Sequence, residues 1–245
     1  MVPLSNAVPY PMDLEENAIQ VIGEEDNVFN DSDYILFYAE GVDVWNEESA
    51  TSVNLYDDKA YYYVTVAGGN GKRIPLASQP ESAPNMIFTT FDDYQYYEVD
   101  KYNVGKLGRK WVGDEFRIDN VQTFTFDFPN LVTSVPIEFN INAISASFGV
   151  SSFEVKANGQ SIGNIPFATL NPAAHIAADE NVLIGTFSSS SPVVAIQLDY
   201  NNGGVPSSNG YLDYISLIAS RSLQGYGKQF LFKNRQAATN IGTAE

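Results

Sequence analysis

The chain has 245 residues, and 13 Lys and Arg against 30 Asp and Glu leave a formal charge of −17, a surface that repels nucleic-acid phosphates and excludes that class of partner. No apolar run approaches the roughly 20 residues needed to span a bilayer, and the amino terminus lacks the basic and apolar regions of a signal peptide. Cysteine is absent, while 15 Tyr and 15 Phe alternate with Val, Ile and Thr in short runs that suit half-buried strands.

The first predicted strand, residues 34–38, follows an acidic, turn-rich loop; residues 54–56 and 60–67 follow as further strand-like runs, the last ending in Gly68, Gly69, Asn70 and Gly71, a tight-turn signal. Residues 75–85 hold three prolines and no apolar period, the composition of a linker. Beyond it, strands are expected at 86–91, 94–99, 123–128, 135–147, 152–157, 182–188, 193–200 and 211–219. In 123–128 the phenylalanines 124, 126 and 128 would share one face, and Asn158-Gly159 marks a hairpin turn. Tyr96, Val99, Asp100, Asn103 and Val104 give a broken helical spacing that predicts a short helix within 92–110. The pattern is all-β, a small β-rich unit over residues 1–80 followed by a jelly-roll β-sandwich over 86–223. Residues 224–245 read as a terminal strand and tail leading toward a further domain, with Phe230 and Phe232 as rings that must find a sheet edge or stay exposed, and with 235–245 expected to be poorly ordered or held by a neighbouring molecule.

Chemistry-bearing residues are sparse. Glu24, Glu25, Asp26, Asn27, Asn30, Asp31 and Asp33 cluster within the acidic loop, and calcium takes about six to eight oxygens from such loops. The register lacks the glycine and glutamate of an EF-hand, so the competing reading is an Asx-rich turn whose side chains bond their own backbone. Glu24, Asp26, Asp31 and Asp33 are the calcium candidates. Asp213, within an apolar strand, belongs either beside a structural ion or, by alternation, on the solvent face with Tyr211 and Ile215. Trp45, Tyr96, Tyr97, Trp111, Tyr200 and Tyr226 are rings that would serve sugar binding or the core. The serine run 188–191 has no histidine or lysine placed to activate it, so it reads as a surface loop, and no acid pair is singled out for a glycosidase.

Three stretches together resemble one family. Residues 22–44, IGEEDNVFNDSDYILFYAEGVDV, are similar to the acidic loop and DYILFYAEG-like strand upstream of the peptidase domain in type IX secretion sortases of the PorU kind and other gingipain-like cysteine peptidases of Bacteroidetes. Residues 106–116, KLGRKWVGDEF, resemble those proteins' SGREWYGE-like turn through Gly108, Arg109, Trp111 and Gly113, although Leu107 and Val112 depart from it. Residues 210–223, GYLDYISLIASRSL, are similar to the strand that closes the region. The resemblance implies a non-catalytic, amino-terminal region of a secreted or cell-surface peptidase, read as a fragment because Met1 already lies within the resembling part. It would support or position a peptidase domain in cis and its secreted cargo. Arg109, Trp111, Phe230 and Phe232 are the expected interface residues. The family's chemistry needs a thiolate and an imidazole base; with no cysteine and a single, isolated His175, no active-site residue carries over and the chain is not expected to be an enzyme. A glycan-binding jelly-roll module tethering its parent to surface polysaccharide is the alternative, and a stand-alone hydrolase a weaker third. No cofactor is required, with calcium the one candidate.

Overall fold

The computed structural model describes residues 13–43, 54, 57–66, 68–76, 78, 83–105, 110–173, 176–225 and 232–243. The chain divides into two compact units, Met1–Glu81 and Ser82–Glu245. Among the described residues no helix is long and apolar enough to cross a membrane.

In the first unit, β1 (Ile19–Ile22) pairs antiparallel with β2 (Tyr34–Phe37). Between them Glu24–Asp26 form one 3-10 turn, entered through Gly23 at φ 92° and left through Asn27 at φ 60°, left-handed conformations that suit these two residue types. The free side of β1 is capped by residues 72–74: Ile19 N donates to Lys72 O and Ile74 N to Ile19 O. The strand expected at 60–67 does not form a ladder: Tyr61–Val66 have no regular structure, with Tyr63, Val64 and Val66 exposed. β propensity measures fit to a partner strand, and none of the described residues supplies one.

The second unit is a two-sheet sandwich. Its strands are β3 (Thr90–Glu98), β4 (Gly113–Phe116), β5 (Val121–Asp127), β6 (Ile137–Ala146), β7 (Ser151–Ala157), β8 (Gln160–Phe167), β9 (Asp179–Phe187), β10 (Val193–Asn201) and β11 (Asn209–Ser222), followed by one short helix, α1 (Arg235–Thr239). The front sheet runs β3-β11-β6-β9, with β4 also paired to β11, and the back sheet runs β5-β10-β7-β8. Every ladder is antiparallel. Apart from β4, successive strands alternate between the sheets except at the β7–β8 hairpin, which is the winding of a jelly roll. That hairpin turns at Asn158 (φ 49°) and Gly159 (φ 80°), the paired left-handed conformations of a two-residue turn.

Alternation fills the space between the sheets. Phe124, Phe126 and Phe128 are all buried, as their spacing predicts, and they meet Ile137, Ile141 and Leu217 of the front sheet in one apolar cluster. Each such side chain contributes about 1.5–3 kcal/mol by leaving water. Rings stitch the layers: Tyr97 lies 4.8 Å from Phe124, and Phe116 meets Phe153 edge-on at 4.8 Å. Gly210 is required at its place in β11, because a Cβ there would stand 2.6 Å from the Tyr200 ring and 2.7 Å from Phe153.

Two local expectations give way. Residues 92–98 are strand β3, not helix; their cross-strand partners on β11 decide the conformation that the broken helical spacing left open. The described tail folds back onto this unit: Asp92 N donates to Lys233 O, Asn234 caps α1 by accepting from Ala237 N, and Arg235 pairs with Glu138 at 2.7 Å. Phe232 is 57% exposed, unlike the phenylalanines of β5 and its extension.

Candidate functional site

Asp213 is the least expected residue of the front sheet. Strict alternation would place it beside Ile215, facing solvent, but β11 carries a bulge: Leu212 opposes Ala143 and Tyr214 opposes the very next residue back, Asn142. The extra residue shifts the phase, so Leu212 and Ile215 both enter the core and Asp213 is turned to a separate, buried position with 4% exposure. The β4–β11 ladder carries a separate irregularity: Tyr211 opposes Glu115 and Leu212 opposes Gly113, so the unpaired residue there is Asp114 of β4.

A loop folded over this bulge supplies the counter-charge. Between β3 and β4, the described residues 99–105 and 110–112 are joined by Val112 N donating to Tyr102 O and Tyr102 N to Val112 O. Gly113 lets the loop approach, since a Cβ there would lie 2.1 Å from Val99 O. Val112 anchors the loop against Ile144 and Tyr211, while its neighbour Lys110 reaches the sheet: Nζ stands 2.6 Å from Asp213 Oδ2 and 2.9 Å from Glu180 Oε1. Asn142 Nδ2 donates to the same Glu180 oxygen at 2.8 Å.

These contacts set the protonation states. Burial pushes the Asp213 carboxyl up to about 6, against the lowering effect of Lys110. Burial also acts to lower the Lys110 ammonium, but hydrogen bonds and charge from Asp213 and Glu180 outweigh it and hold Lys110 above its ordinary value. Glu180, pushed up by burial, is brought below the usual range by Asn142 and Lys110. Asp100 is raised by burial and by Glu98. At the other end of the loop, Asp114 takes φ 30° and accepts from Tyr97 Oη at 2.6 Å, and burial together with that carboxylate pushes Tyr97 up to about 12. A buried carboxylate held against one lysine in a bulge is a site-like arrangement. It offers a proton-binding group and a charged latch.

The second polar feature is a shallow depression of about 470 Å3 on the outer face of the back sheet, lined by Asn120, Ser152, Glu154, Asn164, Asp199 and Asn201 among others. Glu154 lies directly across from Asp199 on β10 and from Asn164 on β8, so the three form one row over three strands. Lys156 Nζ meets Glu154 at 3.0 Å. Carboxylates and amides in a row match the hydroxyls of a sugar.

The sequence-predicted residues fall elsewhere. In the acidic loop Asp26 Oδ1 accepts from Val28 N, Asp33 Oδ2 accepts from Asn30 N, and Asn30 Oδ1 accepts from Ser32 N and Oγ. Glu24 pairs with Arg73 at 2.7 Å. The structure therefore spends Glu24, Asp26 and Asp33 on local turns and one guanidinium; Asp31 lies in the same turn, and among the described residues no three acids or histidines converge as a metal cluster. Trp111 is 42% exposed beside buried Val112. Of the ring candidates, Tyr200 is in the core, Tyr97 is half-buried, and Tyr96 remains at the surface. Arg109, Phe230, His175, Trp45 and Tyr226 lie outside the described residues. Ser189 of the serine run is buried and receives Asn158 Nδ2 at 3.0 Å, so this loop is packed against the hairpin turn. Sequence reading missed the Lys110–Asp213 pair, whose partners are 103 residues apart; the one available signal was an aspartate inside an apolar strand.

Against known proteins, the sequence matches no protein-family model and no curated protein. By structure it is similar to the crystal structure of dimeric latent PorU from Porphyromonas gingivalis. The likeness has a TM-score of 0.56 and 17% identity over 66% of this chain, and the match spans 16% of the PorU chain. Weaker likenesses are to the CBM36-1 domain of a multidomain xylanase from the hindgut metagenome of Trinervitermes trinervoides (TM-score 0.33, 12% identity, 56% of this chain and 100% of that one) and to a carbohydrate-binding module CBM36 in complex with calcium and xylotriose (TM-score 0.31, 12% identity, 50% and 98%). The PorU likeness is one of fold: a piece of that much longer chain is built as this one is.

Proposed function

We propose that this chain is a non-catalytic β region of a secreted peptidase resembling the type IX secretion sortases, serving to support or position a peptidase domain of the same polypeptide and its cargo. The observation that carries this reading is the fold likeness to part of PorU in a chain with no cysteine to act as nucleophile. The three sequence stretches that resemble the pre-peptidase region support it, as does the partly exposed Trp111 within one of them. The coding sequence that follows this chain in its gene is the first test: a caspase-like domain with a Cys/His pair agrees, and its absence overturns the reading. With that domain in hand, co-purification with this chain is expected.

A second reading, a glycan-binding module at the cell surface, is favoured by the row of Glu154, Asp199 and Asn164 in the open depression of the back sheet. Titration with the native surface polysaccharide decides between the two. Saturable binding lost in Glu154→Ala and Asp199→Ala, with the fold retained, selects the module.

A further inference from the structure

Among the described residues, β2 is an edge of the β1–β2 ribbon without a ladder partner, touched at its far end by Tyr62, whose ring lies 5.6 Å from Phe37. Residues 72–74 cover the outer side of β1, whereas β2 is the last strand on the other side, with no further ladder among the described residues. An outer strand keeps half of its backbone N–H and C=O groups directed away from its partner. Here the side chains are apolar on both faces: Tyr34, Ile35, Leu36 and Phe37 are all exposed by 42% or more, and Tyr38 by 64%. A charged or proline-bearing edge would discourage pairing; this edge has neither. An added strand here would bury apolar surface on both faces and complete the backbone bonding of β2.

Charge states what kind of strand fits. Residues 1–58 hold 14 acidic and no basic side chains; Asp31 and Asp33 stand at the start of β2, and Glu40 and Asp43 just beyond its end. A second copy of this chain would bring like charges together along the same edge. We propose that β2 is a docking edge for an extended apolar segment flanked by lysine or arginine, bound by strand addition at Tyr34–Phe37. The proposal stands independently of the sandwich's role.

The test uses the full chain and two synthetic peptides, each an alternating valine–threonine segment, one flanked by lysines and one by glutamates. Calorimetry and amide hydrogen exchange are expected to show the lysine-flanked peptide binding with slowed exchange at residues 34–37, and the glutamate-flanked peptide binding about tenfold or more weakly at low salt, a gap that narrows as salt is raised. Ile35→Pro removes a ladder donor and should abolish binding; Leu36→Lys, which leaves the backbone intact, should weaken the lysine-flanked peptide and confirm the site where the proline variant disturbs the ribbon. Absence of binding, binding without protection of 34–37, or equal affinity for both peptides overturns the proposal. Self-association in sedimentation that Leu36→Lys abolishes would assign the edge to a second copy and overturn it as well.

Discussion

Replacing Asp213 by Asn should make the sandwich more stable near neutral pH, by an amount that depends on pH in a calculable way. The folded carboxyl titrates at about 6 against 3.8 for the ordinary group. A raised folded value means that the folded chain holds the proton more tightly than the unfolded chain. The stability that this group contributes is therefore full below pH 3.8 and is lost as pH rises through 6. Integrating between those two values, the ionised carboxylate costs about 1 kcal/mol at pH 4.5 and about 3 kcal/mol at pH 7. Asn keeps the shape and an acceptor for Lys110, which retains Glu180. Urea unfolding of both proteins from pH 4.5 to 7.5 should show the variant's advantage growing by about 2 kcal/mol across that range. An advantage that stays flat, or one that shrinks as pH rises, would mean that Lys110 compensates the buried charge in full, and the reasoning from desolvation would fail.

Arg221, 6% exposed, donates Nε to Pro129 O and Nη1 to Asp93 and lies over the Phe91 ring, so Arg221→Ala should cost about 1.5–3 kcal/mol in chemical unfolding, by removing these bonds and leaving the half-buried Asp93 carboxylate with Gln95 Nε2. Tyr200→Phe removes a hydroxyl bonded to Ser145 and Ser208 inside the sandwich and should cost about 1–3 kcal/mol in the same assay. Asp33→Ala should loosen the acidic loop even in chelator-treated protein, seen as faster amide exchange at residue 30; a defect that arises only on chelation would instead place an ion there. Limited proteolysis should cut first within residues 75–85, since the division between the two units falls there.

What the sequence disclosed and what it hid follow one physical line. Apart from β8, whose Gly163 and Pro166 interrupt any apolar alternation and which was not among the expected strands, the strands from Val121 onward were legible because alternation writes burial directly into residue order, and Asn158-Gly159 names its own turn. Tyr61–Val66 misled because strong β propensity is only fitness for a neighbour. β4, with the sequence GDEF, carries no apolar alternation and exists because β11 is long enough to pair with it. The Asp213 position was hidden by a single inserted residue, which inverts every inward and outward assignment beyond it. Its partner was hidden by chain distance, since no local pattern links Lys110 to a strand so much later.

The order of strands also governs when the molecule can exist. β11 is the final strand in sequence yet lies in the interior of the front sheet, between β3 and β6. Among the described residues, β3 and β4 find their ladder partner in β11. A ribosome or a translocation channel releasing this chain from its amino terminus therefore delivers two strands that must wait, unpaired, until residue 222 has emerged. Folding of the sandwich is dominated by these distant pairings, which makes it slow. A truncation ahead of Asn209 takes away the strand that joins β3 and β4 to β6, and with it the middle of the front sheet.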